Sequence, residues 1–280
     1  MSRRSPSSAF LTSVSAIVLI VAACISGGPV RAQVIDIVSL DLSGIPAGTP
    51  LVTVLGIRDS FYLGERFWES RLVGFSAQLP GLVQRSVRPI QITASIVPID
   101  GPGGVLGQAG PTQLFSYTGT KPYVITQAAV MQFDSDDAVA FQNLGLFDDI
   151  VRHEMAHALG FGTVWTDNRL NLGPFGHFTG SFALKRFRIE AKRPSAMFVP
   201  VEQFGGPGTA GGHWDSLDPF FFNATKNSGD LMIGYITDIP TVSETTWAQF
   251  ADLGYKVKGI NDKLVGSKPG SGGTKSIPIN

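Results

Sequence analysis

One short stretch of the chain decides how the rest is interpreted, and it reads Val151-Arg152-His153-Glu154-Met155-Ala156-His157-Ala158-Leu159-Gly160. Positions i and i+4 of a helix share a face, so His153 and His157 present two imidazoles to one ion. Glu154 lies one residue further along, beside the ion without coordinating it, where it can hold a water molecule and take its proton. A shuffled chain of this composition contains the pattern in only about one case in a thousand. The stretch therefore predicts a zinc-binding helix from about Phe147 to Gly160.

The alternative is that the two histidines lie on the surface of an ordinary helix. Leu146 and Ile150 place the apolar stripe of the helix toward the same histidine face. Both histidines would then be half-buried where the helix packs on the rest of the protein, and half-buried imidazoles need a binding partner. This favours a metal site over two surface histidines.

A zinc site of this kind requires a third protein ligand and an open position for water. In the compact pattern HExxHxxGxxH the third histidine would be residue 163, which here is Thr163, although Gly160 is present where that pattern turns the chain. We therefore expect the ligand from a later insertion, with His213 or His177 as the histidine. Two acidic residues are the remaining alternatives, Glu190 and Glu202.

Further motifs follow the helix in a recognisable order. They are Gly205-Gly206-Pro207-Gly208-Thr209-Ala210 leading into His213-Trp214, then Leu231-Met232, and finally Asp252-Leu253-Gly254-Tyr255. Together with His153 to Gly162 they resemble the leishmanolysin-type zinc metallopeptidases of the metzincin clan, over about residues 59–258. The resemblance implies that His213 is the third ligand and that Met232 is the methionine of a turn beneath the metal.

The chain departs from that family in three respects. Leishmanolysin is rich in disulfides, whereas Cys24 is the single cysteine here. The sequence also lacks the family's C-terminal domain and the propeptide cysteine that blocks the zinc of latent forms. We therefore expect packing by apolar burial alone and no latency of the cysteine-switch type.

The first 32 residues have the pattern of a secretory signal peptide. Arg3 and Arg4 precede an apolar run from Phe10 to Ala23, and Val30-Arg31-Ala32 fits a cleavage site that makes Gln33 the new N-terminus. An alternative is lipidation of Cys24, because Val21-Ala22-Ala23-Cys24 resembles a bacterial lipobox. The expected location is secreted or periplasmic, with a lipid anchor at Cys24 as the only route to a membrane.

Composition excludes several classes of protein. The 280 residues contain 22 basic and 22 acidic side chains, so no electrostatic feature indicates a nucleic-acid partner. With 43% hydrophobic residues the chain can bury a core. The 33 glycines and 18 prolines favour a loop-rich enzyme over a helical bundle.

Periodicity predicts the remaining elements. Val34–Leu42, Pro89–Ile96 and Tyr123–Phe133 have strand patterns. A helix capped by Asp59 or Ser60 carries a stripe of Phe61, Trp68, Leu72 and Phe75, and a second helix spans Thr241–Leu253 with Thr241 or Ser243 as its cap.

These elements predict an α+β fold of the metzincin-like zincin type. It has a twisted, mostly parallel sheet, an active-site helix and a loop-rich C-terminal part. The expected divisions are a signal peptide (1–32), an N-terminal catalytic subdomain (33–162), a C-terminal subdomain with the third ligand and the methionine turn (163–260) and a flexible tail (261–280).

Several other residues carry weaker signals. Tyr235, three residues past Met232, is a candidate for contact with substrate or an oxyanion, although an aromatic wall is the plainer interpretation.

Three acidic residues, Asp134, Asp136 and Asp137, lack the spacing of a calcium loop, and a solvated turn is favoured over calcium. A basic run has strand or loop spacing and forms a solvated face that would favour acidic substrate segments; its members are Lys185, Arg186, Arg188, Lys192 and Arg193.

The predicted activity is hydrolysis of internal peptide bonds in protein or peptide substrates by an exported zinc enzyme with one catalytic Zn²⁺ and Glu154 as general base. We expect an edge strand, with Tyr123–Phe133 as the candidate, to align an extended substrate. Two alternatives remain open: a surface adhesion module with a structural zinc, and a zinc hydrolase of non-peptide amides.

Overall fold

The computed structural model describes residues 33–76, 88–117, 123–171 and 176–262. The predicted signal peptide, Cys24 and the tail from residue 263 onward lie outside the described residues. Within the described ranges, no helix combines the length and the apolar character that crossing a bilayer requires.

The fold is a mixture of helices and strands, as predicted. The described helices are α1 (Leu51–Glu69), α2 (Ser135–Leu144), α3 (Phe147–Ala158), α4 (Ser181–Glu190) and α5 (Glu244–Asp252). The described strands are β1 (Ile35–Asp41), β2 (Leu72–Phe75), β3 (Ile90–Val97), β4 (Gly107–Tyr117), β5 (Tyr123–Asp134), β6 (His177–Phe178), β7 (Val199–Pro200), β8 (Phe222–Asn223), β9 (Ser228–Asp230), β10 (Ile239–Thr241) and β11 (Tyr255–Val257).

The main sheet is partly parallel and has the order β1-β3-β5-β4. β1 pairs in parallel with β3, and β3 with β5, whereas β4 runs antiparallel to β5. The predicted strands 34–42, 89–96 and 123–133 correspond to β1, β3 and β5, and alternation on β3 buries Ile90, Ile92, Ala94 and Ile96. The expectation that Tyr123–Phe133 is an edge strand was wrong, because β4 covers it and takes the edge position.

α3 is fixed between the sheet and α1. Gly64 of α1 permits close packing, since a Cβ there would lie 3.2 Å from a methyl carbon of Val151. The indole N–H of Trp68 donates to the carbonyl of Arg152 at 2.9 Å. On the sheet side, the rings of Phe133 and Phe147 meet edge to face at 5.4 Å. The helix predicted over 147–160 is confirmed, and it is held on both sides by buried aromatic side chains.

Two predicted boundaries were wrong. α1 begins at Leu51, directly after Pro50, so Asp59 and Ser60 lie within the helix and do not cap it. Leu72 and Phe75 belong to β2, which pairs with β11, and not to the stripe of that helix. The cap at the other end of the chain was identified correctly, because Ser243 accepts the N–H of Thr246 at the start of α5.

The basic run is also organised differently from the prediction. Lys185, Arg186 and Arg188 lie on α4, a helix and not a strand or loop. The N-terminus of α4 is capped by Asp252, which accepts the N–H groups of Phe182 and Ala183 at 2.9 Å. None of the basic residues lines the cleft described below, so the expected preference for acidic substrates has no support there.

The acidic residues at 134–137 form a helix start and not a solvated turn. Asp134 is fully buried and caps α2, accepting the N–H of Asp136 at 2.8 Å. Its second oxygen accepts three backbone N–H groups, those of Ile99, Asp100 and Gly101. Burial alone would raise the pKa of Asp134, but these donors hold the pKa below its ordinary value of 3.8.

We predict that Asp134→Asn lowers the free energy of unfolding by about 2–4 kcal/mol at neutral pH, because an amide group then faces buried N–H donors. Since the folded pKa lies below the unfolded one, the contribution of Asp134 is complete above the unfolded pKa and is lost as the pH falls through the folded value. Urea unfolding of both proteins at several pH values measures this difference, which should shrink on acidification. The exposed Asp136, changed to Asn, is the control, and a difference independent of pH would contradict the assignment.

Candidate metal centre

Three histidines converge at one point of the structure. His153 and His157 lie one turn apart on α3, and His213 reaches them from a distant loop. The Nε2 atoms of His153 and His157 are 3.1 Å apart, and each is 3.0 Å from Nε2 of His213. The three rings are thus close enough to bind a metal ion, and the predicted choice of His213 over His177 agrees with this arrangement.

Each imidazole is oriented by a backbone carbonyl on its other nitrogen. Nδ1 of His153 contacts the carbonyl of Leu231 at 2.6 Å, and Nδ1 of His157 contacts that of Phe161 at 2.9 Å. Nδ1 of His213 lies 2.9 Å from the carbonyl of Thr209. A carbonyl oxygen only accepts, so each Nδ1 carries the hydrogen and each Nε2 directs a lone pair at the other two.

Burial keeps these rings neutral. Burial and the neighbouring His213 lower the pKa of His153 to about 3, against a smaller opposing effect of the Leu231 carbonyl. Burial, followed by the other two rings, holds the pKa of His157 well below its ordinary value. Burial also lowers the pKa of His213, although the Thr209 carbonyl and Glu202 act in the opposite direction. Neutral imidazole is the form that ligates metals.

Two glycines bring the third histidine to the end of α3. Gly160 has a φ of 110° and ends the helix, as the sequence pattern predicts. Gly162 has a φ of 72°, and a Cβ there would lie 2.3 Å from the carbonyl oxygen of Gly212. Only glycine permits this approach, which places the residue before His213 against the end of the helix. Thr163, at the position of the third histidine in the compact pattern, instead donates its hydroxyl to the carbonyl of His157 at 2.8 Å.

The segment around Met232 joins two of the ligands. The carbonyl of Leu231 orients His153, and the carbonyl of Met232 accepts the N–H of Trp214, the neighbour of His213, at 2.9 Å. Met232 itself is fully buried. The role of Met232 as the floor of the site stays a prediction, but its backbone binds the residue that follows His213.

The histidines lie in a cleft of about 970 Å³. The side chain of Glu154 is buried beside them, and a Cβ on Gly107 of β4 would lie 3.0 Å from its Cγ. Burial raises the pKa of Glu154 to about 8. The glycine-rich loop from Pro207 to Gly212 also lines the cleft, and the described residues that line it include no lysine or arginine.

Tyr235 also lines this cleft, with 45% of its surface exposed. Its ring packs edge to face on Phe222 at 5.2 Å. Burial raises the pKa of its hydroxyl, and Glu202 adds to this while a hydrogen bond with Ser216 opposes it. The position suits contact with substrate, and that role stays a hypothesis.

The other candidate ligands have structural roles. Glu190 accepts N–H groups of Glu244 and Thr245 at the start of α5. Glu202 accepts backbone N–H groups of Gln203, Phe204 and Ser216. The ring of His177 stacks on that of Phe198 with centroids 3.4 Å apart, and His177 belongs neither to the histidine cluster nor to the lining of the cleft.

Two of the three acidic residues considered for calcium bind backbone N–H groups instead. Asp134 and Asp137 accept backbone N–H groups from the loop 99–103. Within the described ranges, the three histidines are the one cluster of possible metal ligands.

Sequence reasoning missed several residues that shape the site. This group contains the three carbonyls that accept from the imidazoles, the cleft-lining start of β4 and the buried Asp230. Their roles depend on contacts between distant segments, and no local spacing signals them. The motif 252–255 gave a partial signal, since the hydroxyl of Tyr255 donates to the carbonyl of Leu159 at 2.6 Å and so holds the end of α3.

Comparison with known proteins gives no further identification. No protein-family model matches the chain. No curated protein sequence matches it either.

We predict that His213→Ala weakens the binding of a divalent metal ion by a factor on the order of 100–1000, because it removes one of three ligands. His177→Ala, which removes a histidine outside the cluster, is the matched control and should bind as the unchanged protein does. Titration against a chromophoric chelator measures both dissociation constants. Equal metal affinities of the two variants would show that His213 is not a ligand.

Proposed function

We propose that this protein is an exported zinc-dependent metalloendopeptidase that resembles the leishmanolysin-type enzymes of the metzincin clan. In this proposal His153, His157 and His213 hold one Zn²⁺ and Glu154 is the general base. Proteins or peptides are the substrates. The mixed fold with a partly parallel sheet is compatible with the clan.

One observation carries the proposal, namely three unprotonated nitrogens that face one another at 3.0–3.1 Å. Three lone pairs at this distance repel one another, so the arrangement favours a cation between them. A tetrahedral Zn²⁺ with Zn–N bonds of about 2.0–2.1 Å keeps its nitrogen ligands about 3.3 Å apart, close to the spacing of this site. Imidazole ligands suit Zn²⁺, as they also suit copper, iron and nickel, and a carbonyl on the second nitrogen of each ring is a usual support of such ligands.

The position of Glu154 supports a catalytic role for the site. When bound, Zn²⁺ lowers the pKa of a coordinated water to about 7 and polarises the carbonyl of a substrate. Glu154 is on the same helix as two of the ligands and faces the cleft, so its carboxylate takes the proton of the attacking water and passes it to the leaving amine. Burial raises the pKa of this carboxyl, whereas a bound dication beside it would favour the ionised form that accepts the proton.

The edge of the sheet suits an extended substrate. β4 is the outermost strand of the main sheet, and its residues Gly107, Gln108 and Ala109 line the cleft beside Glu154. Unpaired main-chain groups of an edge strand can pair with a peptide, so β4 takes the role first expected of Tyr123–Phe133. This favours polypeptides over small non-peptide amides as substrates.

The adhesion alternative requires a closed site with four protein ligands. Among the described residues, the cluster contains three histidines and no fourth His, Cys, Asp or Glu. The cleft also leads directly to the histidines. Both features favour a catalytic over a structural metal.

We predict that Glu154→Gln keeps zinc affinity within about threefold and lowers peptide hydrolysis by about 10²–10⁴-fold, because only proton transfer is lost. Hydrolysis of an internally quenched peptide and the zinc content of the same sample are the measurements. Glu65→Gln, a half-buried glutamate on α1, is the control and should leave both unchanged. Full activity of Glu154→Gln would rule out the mechanism.

We also predict that the exported protein begins at Gln33, since cleavage after Ala32 fits the signal pattern. N-terminal sequencing and intact mass of protein collected outside the cytoplasm measure this. A lipid-modified N-terminus at Cys24 would instead assign the protein to a membrane surface.

A further inference from the structure

Asp230 is a buried carboxylate that lies next to the methionine turn and is only 4% exposed. One oxygen accepts the N–H of Met232 at 2.9 Å. The other accepts two donors, the N–H of Ser243 at 3.0 Å and the hydroxyl of Thr246 at 2.8 Å. Met232 belongs to the turn that contacts His153, and Ser243 and Thr246 lie at the start of α5.

The first of these bonds leads to His153. The bond to the N–H of Met232 closes a tight turn around Leu231, whose carbonyl accepts from Nδ1 of His153 at 2.6 Å. The N–H of Leu231 in turn donates to the carbonyl of Thr241 at 2.6 Å. The direction of the Leu231 carbonyl, and with it the orientation of the His153 ring, therefore depends on Asp230.

The third bond leads to His213. The hydroxyl of Thr246 donates to Asp230 and accepts the indole N–H of Trp214 at 2.7 Å, so the three groups form a continuous buried chain. The backbone N–H of Trp214 also donates to the carbonyl of Met232. Trp214 directly follows His213, and both of its N–H groups donate to residues that bind Asp230, namely Met232 and Thr246.

We propose that Asp230 is a positioning residue for the metal centre, which fixes the imidazoles of His153 and His213 through Met232 and through Thr246 with Trp214. The inference rests on the metal site of the proposed function but not on the reaction at that site. Outer partners of metal-ligating histidines typically change metal affinity by about 10- to 100-fold. Asp230 does not contact a histidine itself. It acts through the residues that orient His153 and His213, two of the three ligands.

The variant Asp230→Asn isolates the role of the carboxylate at constant size. Asparagine offers one acceptor oxygen, and its NH₂ group can only donate. Either the N–H of Met232 or the pair of donors from Ser243 and Thr246 then faces another donor. The turn around Leu231 or the chain to Trp214 must shift, and the imidazoles shift with it.

Glu190 provides a closely matched control at the same helix end. One of its oxygens accepts the N–H of Glu244, and the other accepts both the N–H and the hydroxyl of Thr245. Glu190→Gln therefore disturbs α5 by the same chemical change. None of its hydrogen bonds continues to a histidine.

The test is the dissociation constant of Zn²⁺, measured by competition with a chromophoric chelator for the unchanged protein and both variants. Melting temperatures of the metal-free proteins provide the measure of structural damage. We expect Asp230→Asn to weaken Zn²⁺ binding by about 10- to 100-fold, and Glu190→Gln by less than about twofold at a similar loss of melting temperature. The visible spectrum of the Co²⁺ forms should change for Asp230→Asn alone, because that spectrum reports ligand geometry. Equal affinities of the two variants, or identical Co²⁺ spectra, would overturn the proposal.

A second variant keeps the test decisive if Asp230→Asn does not fold. Thr246→Val removes the hydroxyl that links Asp230 to Trp214 but leaves the bond to the N–H of Met232 in place. We expect it to weaken Zn²⁺ binding more than Glu190→Gln does, a comparison that does not need Asp230→Asn. A Zn²⁺ affinity equal to that of Glu190→Gln would refute the role of the hydrogen bonds from Asp230 through Thr246 to Trp214. Because each readout is metal binding, a protein that binds Zn²⁺ without cleaving peptides would defeat the proposed function and leave this inference intact.

Discussion

The mutual approach of three imidazole nitrogens is the constraint on which the rest of the structure depends. Their Nε2 atoms lie 3.0–3.1 Å apart, and each Nδ1 donates to a carbonyl. Such an arrangement is unfavourable without a cation, and it persists only where the surroundings determine each ring orientation. The three carbonyls come from three different segments, so the site joins the end of α3, the loop before His213 and the turn at Met232.

The fold determines each ring orientation through close packing and buried hydrogen bonds, and the residues that the structure describes contain no cysteine. Gly162 allows the backbone of Gly212 to contact the end of α3. Trp214 stacks on Trp165 and on Phe221, which fixes the residue after the third histidine. Buried aromatic side chains and hydrogen-bonded polar groups thus stabilise the site without a disulfide among the described residues.

Sequence alone predicted the parts of the site that follow from local periodicity. His153, Glu154 and His157 share one helix, and helical spacing specifies their common face. His213 followed from the resemblance, since spacing left His177, Glu190 and Glu202 open. β4 was missed because Gly107, Gly110 and Pro111 weaken its strand pattern, and its partner β5 supplies the pairing that stabilises it. Asp134 was interpreted as solvated because its burial depends on the loop 99–101, which contacts it only in the folded chain.

The central claim concerns one cation held by three histidines with a position left for solvent. X-ray absorption at the zinc edge, recorded on the purified protein with one equivalent of zinc, tests that claim most directly. The account predicts three imidazole nitrogens and at least one additional oxygen at about 2.0–2.1 Å. A first coordination sphere of four protein ligands, or one in which His213→Ala changes nothing, would contradict it.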